Sequence, residues 1–446
     1  MLFLHLPVAL SAWFVRLTTA LDRRSAPRLF LLLVGALFAR GRRTVTSWFR
    51  AAGITRDFRR AYNALWAAGR KAEGLASRLL GGTLLPLLRQ APGQHVLFAI
   101  DDTPTARYGP YVQGAGIHHN PTPGPAGEKH VYGHIWVTLA WLAHHPAWGT
   151  LALPLRAFLY VRAKDVPALA KAYPWDFRTK LVLAAELVSW LVGWLGYTGK
   201  TLWMVVDGAY AKRPFLKPVM ALGVVVFSRL RKDANLRSVP SGTRRPGQRG
   251  PLPTYGKEKI DLAKRAGQKR GWQQVECVQY GEKVVKTIKT FRATWHPAGG
   301  AIRVVIVRET DGWVAYFCTD VTVSAVAILE AMADRGAIEQ MFKDVKEVWG
   351  AGQQQVRNVY ASLGAWAVTL SLYSIVEAWA WGREEEEVVD RRRSPWDAEE
   401  RRPSHADKRK ALQREILRQE IQAVVGDRAE WGELREVLER LLDLAA

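Results

Sequence analysis

The sequence has few cysteines, fewer acidic than basic residues, and an apolar run near its start that is too short for a membrane span. Its only two cysteines, Cys277 and Cys318, exclude a disulfide framework and a cysteine-rich zinc site, and they fit a reducing cytoplasm. The apolar run 29–39 has eleven residues, whereas a transmembrane helix needs about twenty. The first residues lack a basic n-region, so we expect no secretory signal and no membrane association.

Basic residues outnumber acidic residues in this sequence. The 446 residues include 64 Lys plus Arg against 41 Asp plus Glu, which leaves a formal net charge of +23. Nearly half of the chain is apolar (48%), so a large core can form. A charge of this size on a globular protein indicates a polyanionic partner, and nucleic acid is the first candidate.

Residues 1–92 are expected to form a helical domain. Within it, residues 41–70 have the pattern of a helix, a glycine-containing turn and a second helix carrying Arg56, Arg59 and Arg60. This pattern is compatible with a helix-turn-helix whose second helix enters the major groove of DNA. The alternative is a plain pair of basic helices. In both cases the arginines would contact phosphates and position the protein.

From about residue 94 the pattern changes to that of an α/β protein. Three strand-like runs, one long apolar helix, a strand, a short helix and a final strand follow one another, an order that predicts a mixed sheet with flanking helices. The expected strands are 95–102, 131–142, 150–160, 200–210 and 223–230, and the long helix is 177–195.

The next segment is basic and rich in proline and glycine. It contains Arg244 and Arg245 and is expected to form a loop that lies along phosphates, or else a simple linker. Four strand-like runs then predict an antiparallel β unit at 272–320. The expected divisions are a first part of the core at 93–230, a basic loop with a β-rich insertion at 231–321, a second part of the core at 322–382, and a charged linker with C-terminal helices at 383–446.

Acidic residues follow two of the apolar strands. Asp101 and Asp102 end the first strand, and Asp207 ends the fourth. A strand-end Asp before Gly is often only a turn former. Carboxylates converging from separate elements can, however, hold two divalent cations for phosphoryl transfer, and Mg²⁺ prefers such oxygen ligands. Because successive side chains point to opposite faces of a strand, only one of Asp101 and Asp102 can face the metals.

A helix at 335–350 supplies a third acid between two cations. At about 100° per residue, Glu339 lies roughly 40° and Lys346 roughly 20° around the axis from Arg335, so the three share one face. Such a stripe can be a solvated surface with helical ion pairs. If Glu339 instead joins the two aspartates, Arg335 and Lys346 would face the scissile phosphodiester.

These residues resemble the acidic triad of the DDE transposases of bacterial insertion sequences. The spacing R335-x3-E339-x6-K346 is similar to the Arg, Glu and Lys of the Tyr-Arg-Glu-Lys signature in the group with a β-rich insertion in its core. The resemblance covers residues 95–375. It implies an RNase H-like fold, with Asp101, chosen because it follows the apolar run, Asp207 and Glu339 binding Mg²⁺, for which Mn²⁺ can substitute.

The sequence departs from the signature at one position. The signature tyrosine would fall at residue 332, which is Met332, so the phosphate contact of that tyrosine is missing or comes from elsewhere. The resemblance also implies an aromatic residue of the insertion that stacks on a displaced base, for which Trp272 and Trp295 are candidates. Core packing is the alternative for each.

The resemblance implies a transposase that cleaves the double-stranded ends of its own element and joins the 3′ ends to target DNA. Two ends imply a homodimer on DNA, acting in the bacterial cytoplasm at the nucleoid. The alternatives are an RNase H-like nuclease without strand transfer and a catalytically silent or domesticated DNA-binding protein.

Overall fold

The computed structural model of the chain describes residues 5–119, 128–241, 243, 250–389, 398 and 401–425. The strands are β1 (His95–Ala106), β2 (Gly116–His119), β3 (His130–His145), β4 (Gly149–Tyr160), β5 (Thr201–Val206), β6 (Val225–Leu230), β7 (Leu236–Arg237), β8 (Lys259–Ile260), β9 (Gln273–Gln279), β10 (Glu282–Trp295), β11 (Gly300–Glu309) and β12 (Gly312–Cys318). The helices are α1 (Val8–Thr18), α2 (Ala26–Phe38), α3 (Val45–Ala51), α4 (Phe58–Arg70), α5 (Ala72–Leu79), α6 (Leu85–Gln90), α7 (Val166–Ala170), α8 (Lys180–Leu195), α9 (Arg213–Ala221), α10 (Leu262–Gly267), α11 (Ala325–Asp334), α12 (Gly336–Glu347), α13 (Val359–Ala380), α14 (Glu385–Val388) and α15 (His405–Val425).

Five strands form the centre of a mixed sheet in the order β4-β3-β1-β5-β6. The strands β4, β3 and β1 are antiparallel neighbours, and β5 and β6 run parallel to β1. The apolar parts of β1 and β5 are buried almost throughout, as expected for strands covered on both faces. This arrangement confirms the predicted RNase H-like mixed sheet with flanking helices. The short strand β2, which pairs with β3, was not predicted.

The β-rich segment is not a separate unit. The four runs predicted at 272–320 are the strands β9 to β12, but β12 pairs with β6 and so extends the central sheet. In this pairing Phe317 lies opposite Ser228, and Ala315 lies opposite Leu230. The reason is burial: both faces of β12 and β11 carry apolar side chains that require cover. The insertion therefore shares the core of the sheet.

The N-terminal helices also join this core, because α4 packs along α13. The two helices cross closely at glycines. A Cβ atom on Gly69 would stand 1.7 Å from the carbonyl oxygen of Tyr360, and one on Gly364 would stand 2.0 Å from that of Leu65. Only glycine permits this approach of two backbones. The boundary predicted at residue 92 is thus not a break in packing.

Two helices are long and apolar enough to cross a membrane when judged by length and composition alone, Lys180–Thr198 and Val359–Ala380. In the second, 89% of the apolar window is buried inside the protein. The first lies against β3 and β4 and buries one face there. Both therefore have partners within the described fold, as core helices of globular proteins do.

The helix α15 confirms the first of the two predicted C-terminal helices. The second, at 431–444, and residues 390–397 and 399–400 of the charged linker lie outside the described residues. The helix α15 is polar in overall composition, and buried polar groups hold it against α13. The Glu377 carboxylate of α13 accepts hydrogen bonds from His405 Nδ1 at 2.6 Å and from Lys408 Nζ at 2.7 Å. Lys408 and Glu377 are each 1% exposed.

The same helix holds the end of α12. Arg409 donates to the carbonyl oxygens of Val348 at 2.7 Å and Leu37 at 2.7 Å. The indole of Trp349 donates to His405 Nε2 at 2.7 Å. The last carbonyl groups of a helix lack partners within it, and here a buried guanidinium supplies one. The position of α12 along the sheet therefore depends on α15.

The buried ion pair gives a stability prediction. The substitution Lys408→Met should lower the free energy of unfolding by about 3–5 kcal/mol, because it leaves the Glu377 carboxylate buried without its countercharge. Urea denaturation followed by circular dichroism measures this loss. The matched control is Lys410→Met on the exposed side of the same helix, which should change stability by no more than about 0.5 kcal/mol. Equal losses in both variants would contradict the assignment.

Candidate active site and nucleic-acid interface

Asp101 and Asp207 lie beside each other at the centre of the sheet. The parallel register of β1 and β5 pairs Ile100 with Val206, and each aspartate is the next residue in its chain. Burial raises the pKa of Asp101 to about 6, and the negative charges of Asp102 and Asp207 act in the same direction, whereas Arg335 opposes them. The site thus concentrates negative charge in a poorly solvated place.

Arg335 joins this pair of strands to the helical acid. Its guanidinium donates to Asp101 Oδ2 at 2.8 Å and to Glu339 Oε1 at 2.8 Å. Arg335 lies between the end of α11 and the start of α12, and Glu339 lies in the first turn of α12. The Asp101 and Arg335 side chains are each 19% exposed, and the Glu339 side chain is 62% exposed. Arg335 and Glu339 lie 234 and 238 positions after Asp101 in the chain. The single Arg335 guanidinium therefore holds together two acids that are distant in the sequence.

Lys346 lies farther along the same helix and is half-buried. Burial lowers the pKa of its ammonium group. Among the described residues, no acid or carbonyl group forms an ion pair or hydrogen bond with it. Its charge is therefore partly desolvated and uncompensated, which favours an anion as its partner.

Asp102 has different partners from its neighbour. Its Oδ2 accepts a hydrogen bond from Lys180 Nζ at 2.6 Å, and its Oδ1 accepts one from the Tyr210 hydroxyl at 2.8 Å. These contacts connect β1 to the first residue of α8 and to the turn after β5. Burial, and then the nearby Asp102 carboxylate, raises the pKa of Tyr210 well above its usual value. Asp102 is thus engaged in structural contacts, while Asp101 meets Arg335.

The oxygen donors fit a divalent cation in part. Asp101 and Asp207 offer neighbouring carboxylates of the type that Mg²⁺ prefers, and both negative charges raise the pKa of the nearby Tyr210 hydroxyl. Among the described residues, however, no group of three or more acidic, histidine or cysteine side chains is arranged to hold a metal. Glu339 is bound to the Arg335 guanidinium instead, so its joining the two aspartates requires this ion pair to open.

The two tryptophans predicted to stack on a base are both engaged. Trp295 is 8% exposed and packs edge-on against Phe317 with ring centroids 5.0 Å apart, so it lies in the core, as the alternative interpretation expects. Trp272 is half-buried, and the charges of Lys289 and Arg308 lie 4.8 and 4.5 Å from its ring centroid. The Trp272 ring is therefore already in contact with two cationic side chains.

Tyr280 is an exposed aromatic residue at this edge that sequence reasoning missed. It is 80% exposed and forms the turn between β9 and β10 together with Gly281. Its φ of 56° is a left-handed conformation that a bulky residue rarely adopts. A Cβ atom on Gly336 would stand 3.3 Å from its ring, which places Tyr280 beside the first residue of α12. The available signal was the Tyr-Gly pair between two strand-like runs, where Asn-Gly is the usual turn.

The position expected for the signature tyrosine is part of the packed interior. Met332 lies in α11 and is partly buried against the core. A thioether there cannot donate a hydrogen bond to a phosphate. Tyr280, from a different element, carries the exposed phenol near Arg335.

The N-terminal arginines lie at the surface. The predicted helix pair is α3 and α4, and Arg59 and Arg60 are exposed in the first turn of α4. Arg60 forms an ion pair with Asp57 at 2.6 Å. The prediction that the second helix carries Arg56 is wrong, because Arg56 lies in the turn before the helix. Asp57, in a left-handed conformation, is the N-cap, and α4 begins at Phe58. Arg244 and Arg245 lie outside the described residues.

An open groove runs beside α4. Its walls include Tyr62, Asn63 and Trp66 on the exposed side of α4 and the segment 355–358 before α13, and its volume is about 820 Å³. Polar amides, aromatic rings and the exposed Arg357 therefore face the same space. These are groups that contact nucleic-acid backbones and bases.

Comparison with known protein families identifies the class. The profile of the family described as DDE superfamily endonuclease matches residues 16–297. This range is more than half of the chain, and it includes Asp101 and Asp207 but ends before Glu339. A search of curated proteins finds no match.

The chain therefore belongs to the DDE superfamily endonucleases. It is a nuclease of the transposase-like kind with an RNase H-like sheet, and DNA is its substrate. Members of this superfamily generally use divalent metal ions. The part of the chain that the family match covers runs from the N-terminal helices to β10.

Proposed function

We propose that this protein is a transposase that binds the ends of its own mobile element, cleaves the DNA and joins the 3′ ends to target DNA. The observation that carries the proposal is the meeting of Asp101 and Asp207 with a helix that bears Arg335, Glu339 and Lys346 on one side. The spacing of the three helical residues favours the insertion-sequence group with the Tyr-Arg-Glu-Lys signature. Such a protein acts on the nucleoid in the bacterial cytoplasm.

Asp101, Asp207 and Glu339 would hold Mg²⁺, with Mn²⁺ as a substitute. When bound, such ions activate the attacking water or 3′-hydroxyl and stabilise the leaving oxygen of an in-line phosphoryl transfer. The chain itself would supply the three carboxylates, of which Asp101 is buried. Arg335 and Lys346 would then face the phosphate, where negative charge develops.

The binding surface for DNA is proposed along the N-terminal helices. Arg56, Arg59 and Arg60 would contact phosphates, and the groove beside α4 would follow the backbone. Arg244 and Arg245 are proposed to extend this contact. The net charge of +23 supports a footprint made largely of phosphate contacts.

A homodimer on DNA follows from the proposed activity. Joining two ends of one element requires two cleaved ends in one complex, and each chain would supply one set of Asp101, Asp207 and Glu339. We therefore expect two protomers to assemble when end DNA is present. A nuclease without strand transfer and a silent DNA-binding protein are the alternatives.

One assay separates these three functions. The full chain is incubated with Mg²⁺ or Mn²⁺, DNA carrying the inverted repeats that flank its gene, and a supercoiled target. A transposase cleaves and joins, a simple nuclease cleaves without joining, and a binding protein does neither. Joined products support the proposal, and cleavage without joining overturns the strand-transfer step.

The third acid can be tested apart from binding. Glu339→Gln should lower the cleavage rate at least about a hundredfold, the scale on which the loss of an electrostatic stabiliser acts. DNA affinity in a gel-shift assay should stay unchanged. The matched control, Glu347→Gln, changes an exposed acid at the other end of α12 and should cleave normally. Full cleavage by Glu339→Gln would reject the assignment.

Substitutions of the two neighbouring aspartates should have different effects. Asp101→Asn should abolish cleavage, because Asp101 would bind the metal at the reacting phosphate, and it should have little effect on the unfolding midpoint, because burial disfavours the charge that is removed. Asp102→Asn should lower the midpoint, since Lys180 loses its charge partner, and should keep cleavage within about tenfold of the unmodified protein. Cleavage rates and thermal denaturation of both variants provide the measurement, and the reverse pattern would exchange their roles.

Salt should weaken DNA binding steeply. Raising monovalent salt from about 50 to about 200 mM should reduce affinity at least a hundredfold if six or more phosphates are contacted. Arg59→Gln should make the log–log slope shallower by about 1. Fluorescence anisotropy with a labelled duplex measures both. An affinity independent of salt would contradict the basic footprint.

A further inference from the structure

The Arg335 guanidinium is hydrogen-bonded to carboxylate oxygens that the proposed chemistry needs as metal ligands. We propose that Arg335 is an internal lock on the metal site, and that a DNA phosphate opens the site by drawing the guanidinium away. The lock regulates the site assigned above, so the inference rests on the proposed function. It makes metal binding and DNA binding cooperative.

The first observation is the identity of the atoms. Arg335 uses two different nitrogens to hold two different acids, Nη1 on Asp101 Oδ2 and Nη2 on Glu339 Oε1. The other oxygen of Asp101 accepts the backbone N–H of Asp102 at 2.8 Å. Both oxygens of Asp101 are therefore in use, and an added cation must compete with the guanidinium for Oδ2.

The second observation is the charge at this place. Asp101 is a buried acid, and Arg335 is the cation that most stabilises its ionised form. A guanidinium contributes one positive charge to the site, whereas a divalent cation contributes two. Exchange of one for the other is therefore favourable only if Arg335 finds a new anion, because an unpaired cation that is 19% exposed is costly.

A DNA phosphate is such an anion. Arginine binds phosphate through the same fork of donors that it uses for carboxylates, and Arg335 lies on the side of α12 that also presents Lys346. A backbone phosphate held by Lys346 would thus stand where Arg335 can turn to it. Glu339 is the mobile partner in this exchange, since its side chain is 62% exposed and can rotate toward the aspartates once released.

Thermodynamic linkage makes the coupling reciprocal. If DNA removes Arg335 from the carboxylates, DNA raises the affinity for the metal, and the metal raises the affinity for DNA by the same factor. In the absence of DNA the lock keeps the affinity for the metal low, which would limit cleavage to the assembled complex.

The test is the affinity of the full chain for Mn²⁺ without DNA, measured by isothermal titration calorimetry. The variant Arg335→Gln should bind Mn²⁺ at least about tenfold more tightly than the unmodified chain, since an adjacent arginine changes the proton affinity of a carboxylate by a similar factor. The matched control is Lys343→Gln, an exposed residue of the same helix. It removes one positive charge from α12 but breaks no ion pair with the acids, so its affinity for Mn²⁺ should stay within about twofold.

Two further arms identify the groups involved. In the double variant Arg335→Gln with Glu339→Gln, the gain should be smaller than in Arg335→Gln, because Glu339 is one of the two ligands that the lock withholds and Asp101 is the other. A short duplex of unrelated sequence should tighten Mn²⁺ binding to the unmodified chain and leave Arg335→Gln unaffected. Circular dichroism verifies that every variant is folded.

The outcomes separate the lock from the proposed function. If the unmodified chain and Arg335→Gln bind Mn²⁺ equally, or if Lys343→Gln gains as much as Arg335→Gln, the lock is wrong while the metal site stands. If Asp101→Asn binds Mn²⁺ as well as the unmodified chain, or if no variant binds it, the metal assignment fails and the lock fails with it. Tighter binding by Arg335→Gln alone supports the lock.

Discussion

One guanidinium connects the two halves of the catalytic core. Arg335 contacts Asp101 of β1 and Glu339 of α12 at 2.8 Å each, and these acids come from segments separated by the whole β-rich region. The sheet supplies a pair of acids in rigid positions, because β1 and β5 are hydrogen-bonded neighbours. The helix supplies an acid that depends on Arg335 and on the packing of α12 for its place. The site is thus rigid on one side and adjustable on the other.

The parts of the site that sequence reasoning could predict are those set by local periodicity. Apolar strands that end in acids predict Asp101 and Asp207 close together. The structure places them side by side in neighbouring strands, although β1 continues past Asp101 to Ala106. The helical repeat predicts that Arg335 and Glu339 share a face, and they form an ion pair four residues apart. Both predictions concern spacing along one element or the direction of a strand, which the chain encodes locally.

The remaining features depend on contacts between distant segments. A tryptophan in a strand-like run has the same local pattern whether it faces a partner strand or a base, and Trp295 proved to be buried against Phe317. The pairing of β12 with β6 depends on which strand edges remain unpaired. The sequence of one strand does not contain this information. Glu377 lies in the apolar helix α13, but its partners His405 and Lys408 lie in segments whose composition is typical of an exposed linker and a surface helix. Composition therefore does not predict the burial of these partners.

The glycine crossing of α4 and α13 has a consequence for geometry. With Gly69 and Gly364 in backbone contact, the arginine-bearing helix and the long core helix cannot slide or tilt against each other without a steric clash. If α4 contacts DNA as proposed, the number of base pairs between the contacted DNA and the cleaved bond is fixed by the packing of these two helices and does not depend on a flexible linker.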